Sequence, residues 1–208
     1  MTRFLLAGLI LLVSVPVLAD NAEPVEIIRE TTAELYALVD ENRSEFEADQ
    51  QLLQEELRER LLPRLDTVHS ARLVLGRHGR GLEREQVEAF ADALSELLMT
   101  RYADGLLEFR SRDQVEILPL AGSNDERATR VRTRVRLDSG TRAQVDYVLR
   151  KAGDEWLVFD VIIEGVSYVA TFRNQIGEEI RRNGFDAMLS RLQDGEIEIE
   201  VEVPDDAS

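Results

Sequence analysis

The sequence predicts an α+β domain in which a curved antiparallel sheet and the helices gathered beside it enclose a hydrophobic cavity. Three observations carry that prediction. Apolar residues recur at helical spacing through the first half of the chain, and three alternating segments joined by short turns follow between residues 127 and 163. The last segment, EWLVFDVII at 155–163, is apolar toward both faces: strict alternation sends Leu157, Phe159, Val161 and Ile163 one way and Val158 and Ile162 the other. Such a strand is either a buried central strand or one whose second face lines a space for something apolar.

The chain opens with MTRFLLAGLILLVSVPVLA at 1–19. One early arginine, a short apolar run and a small-residue exit form the layout of a secretory signal peptide cleaved after Ala19, with a retained membrane anchor as the other reading. The remainder, about 190 residues, suits one domain with a helical lobe at 20–194. There is no cysteine, so disulfides, thiolate catalysis and cysteine-ligated metal are excluded. Formal net charge is −16, from 41 acidic and 25 basic residues, which opposes binding to nucleic acid or to anionic membrane surfaces.

A helix is expected over 25–43, where Ile27, Ile28, Leu35, Leu38 and Val39 share a face, and a second carries Leu52, Leu53, Leu57 and Leu61. Pro63 ends it by pushing Leu62 out of the α region. A third helix starts near Asp66 as N-cap and reaches the glycines at 76–81, and a long one is expected over 83–109 with Val87, Phe90, Leu94, Leu97, Leu98, Tyr102 and Leu106 on one face. Val115, Ile117 and Leu118 form a short strand closed by Pro119. Residues 127–137, RATRVRTRVRL, set Val131, Thr133, Val135 and Leu137 against Arg130, Arg132, Arg134 and Arg136, a strand with one wet face. Turns at 138–140 and 152–154 join it to RAQVDYVLRK and to the doubly apolar strand. Helices over 166–183 and 185–192, broken at Gly184, close the domain, and the acidic tail from 195 to 208 is expected to be disordered or at most an edge strand.

Catalytic signatures are poor. Residues 165–169, GVSYV, begin like a nucleophile elbow but end on valine, and neither His69 nor His78 is an evident partner for Ser167, which reads as an N-cap hydroxyl. Two isolated histidines lack metal-ligand spacing, and GRHGRG at 76–81 has no Walker lysine and follows a helix. No catalytic residue, metal ligand or cofactor is assigned. One enzymatic alternative stays open, a small cone-shaped enzyme of isomerase or hydrolase type using Asp160 or Asp146 from adjacent strands.

WLVFDVIIEGVSYVATFRNQIGEEIRRNGFDAMLSRL at 156–192, LPRLDTVHSARLVLGRHGR at 62–80 and LLMTRYADGL at 97–106 resemble the MlaC family of periplasmic phospholipid carriers, also called toluene-tolerance auxiliary proteins. Asp160, Glu164-Gly165-Val166-Ser167 and Arg173 sit in the family's spacing. The resemblance implies a cone related to the nuclear-transport-factor-2 fold, with a helical lobe, holding a phospholipid by its acyl tails. It further implies a periplasmic shuttle between an outer-membrane lipoprotein–porin complex and an inner-membrane ABC transporter complex with an MCE-domain subunit, maintaining outer-membrane lipid asymmetry.

On that basis the cavity wall is expected from Phe159, Val161, Ile163, Val166, Tyr168 and Phe172, with Leu73, Leu94, Leu97, Leu98 and Tyr102 from the helices. Arg173 is expected to pair with Asp160 or Glu164 and hold the helix against the sheet. The stripe Arg130, Arg132, Arg134 and Arg136 is expected to orient the carrier on an acidic partner or near an anionic head group.

Overall fold

A computed structural model describes residues 22–103, 107, 114–122, 124–136 and 140–199, with the side chains of Ala22 and Tyr102 outside the description. The segment expected to be a signal peptide, Leu106, Phe109, Leu137 with the expected turn at 138–139, and the tail from residue 200 lie outside the described residues. Six α-helices and five strands are described: α1 (Ala22–Ala48), α2 (Gln50–Leu61), α3 (Thr67–Leu75), α4 (Arg84–Tyr102), β1 (Val115–Ile117), β2 (Thr129–Arg136), β3 (Arg142–Ala152), β4 (Glu155–Ile163), β5 (Val166–Ser167), α5 (Tyr168–Asn183) and α6 (Phe185–Gln193).

Helix boundaries follow capping chemistry. Asp49 divides α1 from α2 because its carboxylate accepts from the Gln51 and Leu52 amides at 3.1 and 3.2 Å. Helix α1 runs past Arg43, where the sequence pattern fades among charges, since Phe46 is still needed in the core, where it is 1% exposed. Leu62 was expected to leave the α region before Pro63 but keeps it, at φ −55° and ψ −40°, and α2 passes into a single 3₁₀ turn at Leu62–Arg64; Asp66 caps α3 by accepting from the His69 amide at 3.1 Å. Gly184, at φ +83°, separates α5 from α6.

The sheet is an antiparallel meander in the order β1-β2-β3-β4-β5. Residue 166 was expected to open a helix; instead Val166 and Ser167 form β5, which turns back on β4 through Glu164 and Gly165. Both central residues have positive φ, 48° and 81°, as a two-residue hairpin requires. Glu164 tolerates that conformation with its side chain accepting from the Gln144 amide.

One irregularity reorders β4. Leu149 faces Val158 but Val148 faces Asp160, so Phe159 is the extra residue of a β-bulge. Side-chain parity inverts there. Trp156 and Val158 share a face with Val161 and Ile163, whereas Leu157, Asp160 and Ile162 share the other, which corrects the strict alternation expected from sequence. The first face packs against α1: Ile28 meets Val131, Leu149, Trp156 and Val158. Two further cores complete the interior. One joins α1, α2 and α4 through Leu38, Phe46, Leu53, Leu57 and Met99. The other joins α3 to α6 through Leu75, Phe90, Phe172, Ile176 and Met188.

The beginning of the acidic tail departs from expectation. Ile197 and Ile199, 8% and 1% exposed, enter the α3–α6 core while Glu196 and Glu198 face solvent. Alternation of isoleucine and glutamate lets five residues dock irregularly without burying a charge.

Candidate functional site

The register places Ile117, Val131, Val145, Tyr147, Leu149, Val158, Val161 and Ile163 on one face of the sheet. Under α1 that face is sealed: Val131 and Leu149 are fully buried and Trp156 nearly so. Beyond, it opens. Ile117, Val145, Tyr147, Val161 and Ile163 are only half-buried, a continuous apolar surface that protein atoms do not fully cover.

Tyr147 lies at its centre, opposite Val131 on β2 and Val161 on β4. Burial pushes its phenol up to about 12. Tyr36 of α1 is also pushed up to about 12, first by burial and then by the nearby Tyr147, so α1 brings a second phenol to this region. One helical turn after Ile28, the Thr31 hydroxyl is buried without a hydrogen-bond partner.

The structure does not gather the expected wall onto one surface. Val161 and Ile163 lie on the half-buried face. Phe172 and Leu94 are packed inside the α3–α6 core, with Leu73, Leu97, Leu98 and Tyr168 around it. Phe159, displaced by the bulge, meets the edge of the His69 ring at 5.1 Å, and the Ser70 hydroxyl donates to its carbonyl at 2.7 Å. Burial, and after it the positive charge of nearby Arg150, holds His69 below its ordinary pKa. Val166 pairs with Ile163 at the sheet corner. The Tyr102 side chain lies outside the described residues.

Sequence reasoning missed Val145, Tyr147 and Ile117. Their signal was present in the alternation of RAQVDYVLRK, which aligns Val145, Tyr147 and Leu149 with the apolar side of β2. Thr31 carried no such signal, because threonine in a helix is ordinary.

Asp160 caps rather than pairs. Its two oxygens accept from the Ser167 hydroxyl at 2.6 Å and the Val169 amide at 3.0 Å, and Ser167 in turn accepts from the Ala170 amide at 3.0 Å. The expected partner of this carboxylate, Arg173, donates instead to the Leu73 carbonyl at 2.6 Å, across the end of α3, while Glu164 serves the hairpin. Among the described residues Arg173 therefore ties α5 to α3, not to the sheet. A second link is ionic: Arg150 reaches Asp66 at 2.6 Å, joining β3 to the N-terminus of α3.

The arginine stripe occupies the opposite face of the sheet. Arg130 lies 3.6 Å from Asp146, whose side chain is 1% exposed and also accepts from the Gln144 amide group at 3.2 Å. Arg134 lies 3.8 Å from Glu116, Arg132 donates to the Pro119 carbonyl at 3.3 Å, and Arg136 stands directly across from Arg142. The Arg132 Nε is buried without a hydrogen-bond partner.

A separate cleft of about 410 Å³ lies against α2, lined by Gln50, Gln51, Gln54, Glu55, Arg58 and Glu96. Its amide and charged walls suit water, not acyl chains. Among the described residues no cluster of three or more histidines and carboxylates could hold a metal ion, and no helix is long and apolar enough to cross a membrane.

Comparison with known proteins places this architecture. The toluene tolerance protein ttg2D of Pseudomonas putida is 28% identical over 189 residues, covering 90% of this chain and 86% of its own length. The intermembrane phospholipid transport system binding protein MlaC of Haemophilus influenzae is 24% identical over 177 residues, covering 83% of this chain and 82% of its own. The phospholipid-binding protein of Ralstonia solanacearum, solved in complex with a phospholipid, shares the fold with a TM-score of 0.73 at 22% identity, over 84% of this chain and 96% of that one. The family model described as MlaC protein matches residues 29–194, so this chain belongs to the MlaC family.

Proposed function

We propose that this chain is a periplasmic phospholipid carrier that holds acyl tails against the half-buried face of its sheet. The observation that carries the reading is the run Ile117, Val145, Tyr147, Val161 and Ile163, apolar yet incompletely covered. Membership of the MlaC family, the phospholipid transport role for which the Haemophilus relative is named and the phospholipid bound by the Ralstonia protein support lipid binding and transport. A buried methylene is worth about 0.8 kcal/mol, so a lipid leaves a bilayer only for a site of comparable dryness. No energy source is required in such a carrier; its site has only to match the bilayer.

Val161 and Ile163 are proposed to touch the acyl chains, with Phe159 and Val166 at the rim. Leu73, Leu94, Leu97, Leu98, Tyr168 and Phe172 are proposed to act behind the site, holding the helical lobe together. Donor and acceptor would be the outer-membrane lipoprotein–porin complex and the inner-membrane ABC transporter complex with its MCE-domain subunit, and the arginine stripe would orient the carrier on acidic surface of one of them. The enzymatic alternative finds little support, since Asp160 is occupied as a cap and Asp146 is shielded from solvent.

The test is direct. Organic extracts of native protein should contain phospholipid, and protein stripped of lipid and refolded should take it up from liposomes. Absence of lipid in both experiments would refute the carrier reading.

A further inference from the structure

The chain past α6 is held differently from the rest of the fold. At the end of α6 the Gly195 amide donates to the Leu192 carbonyl at 3.2 Å and the Glu196 amide to the Arg191 carbonyl at 2.8 Å, the paired bonds of a Schellman turn, which Gly195 permits at φ +71°. Arg191 reinforces the turn, since its guanidinium lies 3.4 Å from Glu196 and also reaches Glu179 of α5. The turn leads into residues 197–199, where Ile197 and Ile199 join the apolar cluster of α3 to α6 and Glu198 between them stays exposed. Only side chains hold the segment there. Among the described residues, 197–199 make no backbone hydrogen bond and pair with no strand, although backbone groups within a core are ordinarily paired. A further observation sets the segment apart: the match to the family ends at residue 194, immediately before it. Burial of two isoleucines favours the docked state and the ordering of five residues opposes it, whereas each core helix is held by many side chains and a full hydrogen-bond ladder. The segment can therefore open while the helices stay closed.

We propose that residues 195–199 are a strap that occupies, in cis, a peptide-binding site on the helical lobe. The site takes an extended segment that presents two β-branched apolar side chains to the α3–α6 core and carboxylates to solvent, which the alternation of isoleucine and glutamate supplies. This inference goes beyond the carrier reading and does not rest on it, since none of Ile117, Val145, Tyr147, Val161 and Ile163 belongs to this cluster.

The chain has no cysteine, so a single introduced thiol reports the opening. Full-length Ile199→Cys and, as control, Ile176→Cys, at positions 1% and 0% exposed, are treated with a thiol reagent under native conditions. Labelling at residue 199 is expected to be at least about a hundredfold faster than at 176 and insensitive to low denaturant, as local opening requires. In a second arm, the full-length double variant Ile197→Ser with Ile199→Ser is mixed with a synthetic peptide of residues 194–202. The peptide is expected to bind it one to one and raise its Tm, and to bind the native protein at least about tenfold more weakly, because the tethered strap competes at high effective concentration. A peptide carrying the same two substitutions should not bind. Equal labelling rates at 199 and 176, or a double variant that does not fold, would make these isoleucines an integral part of the core and overturn the inference. A folded double variant that binds no native peptide would overturn it equally.

Discussion

The sharpest stability prediction concerns Asp160, the residue through which the corner between β4 and α5 is organised. Replacing it with alanine removes two acceptors, one for the Ser167 hydroxyl at 2.6 Å and one for the Val169 amide at 3.0 Å. Hydrogen bonds to an ionised acceptor contribute about 1.5–3 kcal/mol each, and a carboxylate at a helix N-terminus adds a few tenths more. Asp160 is half-buried, and Ser167 keeps its own bond to the Ala170 amide, so the lower end applies. We expect about 3 kcal/mol for Asp160→Ala, and about half of that for Asp160→Asn, which retains one acceptor. For a domain of this size that is a fall in Tm of roughly 6–12 °C for the alanine variant, measured by calorimetry or far-UV circular dichroism. Ser167→Ala alone should cost about 1 kcal/mol, and the double variant less than the sum, because the two share one bond. A fall below about 2 °C, or strict additivity, would refute the capping role. Lipid uptake by the folded Asp160→Asn protein should persist, which a catalytic carboxylate does not predict.

The other predictions follow from the same contacts. Val161→Asp places a charge on the apolar face and should abolish liposome uptake in protein that still gives a native circular dichroism spectrum, with Val161→Leu as the retained control. Arg173→Ala should lower Tm by about 2–4 °C, the worth of roughly 1 kcal/mol for its bond to the Leu73 carbonyl; an unchanged Tm would remove that role. Arg132→Glu with Arg134→Glu should slow lipid transfer between donor and acceptor, more at low salt than at high, without reducing the lipid bound; equal rates at low salt would return the stripe to ordinary surface. Tyr36 and Tyr147 ionise at about 12 in the fold against about 10 unfolded, so their contribution is complete below pH 10 and is lost as pH rises from 10 to 12. Alkaline unfolding followed by fluorescence should therefore steepen in that interval, and less so in Tyr147→Phe.

Much of this fold could be read from residue patterns because its elements are locally encoded. Asp66, Pro63 and Gly184 each act on their own backbone, so the helix boundaries they set fall where the sequence places them. The turn at 152–154 and the alternation of β2 are equally local. The site was harder to read, since its two defining features are relations between distant residues. Arg173 follows Glu164 by nine residues and Asp160 by thirteen, the carboxylates expected to pair with it, yet its guanidinium donates to a carbonyl at the end of α3. Likewise, broad apolar faces on α3 and α4 look the same whether they meet a ligand or another helix, and here they meet α5 and α6.

The bulge at Phe159 bears most directly on function. Without it, strict alternation would turn Val161 and Ile163 away from Trp156 and Val158, toward the face that carries the arginines. The extra residue inverts that parity midway, so the first half of β4 packs under α1 while the second extends the same apolar face outward. Val161 is still near α1, but Ile163 and its partner Val145 are not sealed. Leaving them wet forfeits about 25 cal/mol for each Å² of apolar area, and on the proposed carrier reading an acyl chain would recover it by the same mechanism that holds it in a bilayer. On that reading both environments would reward the same surface, the net free energy of transfer would be small, and contacts with donor and acceptor would decide its direction.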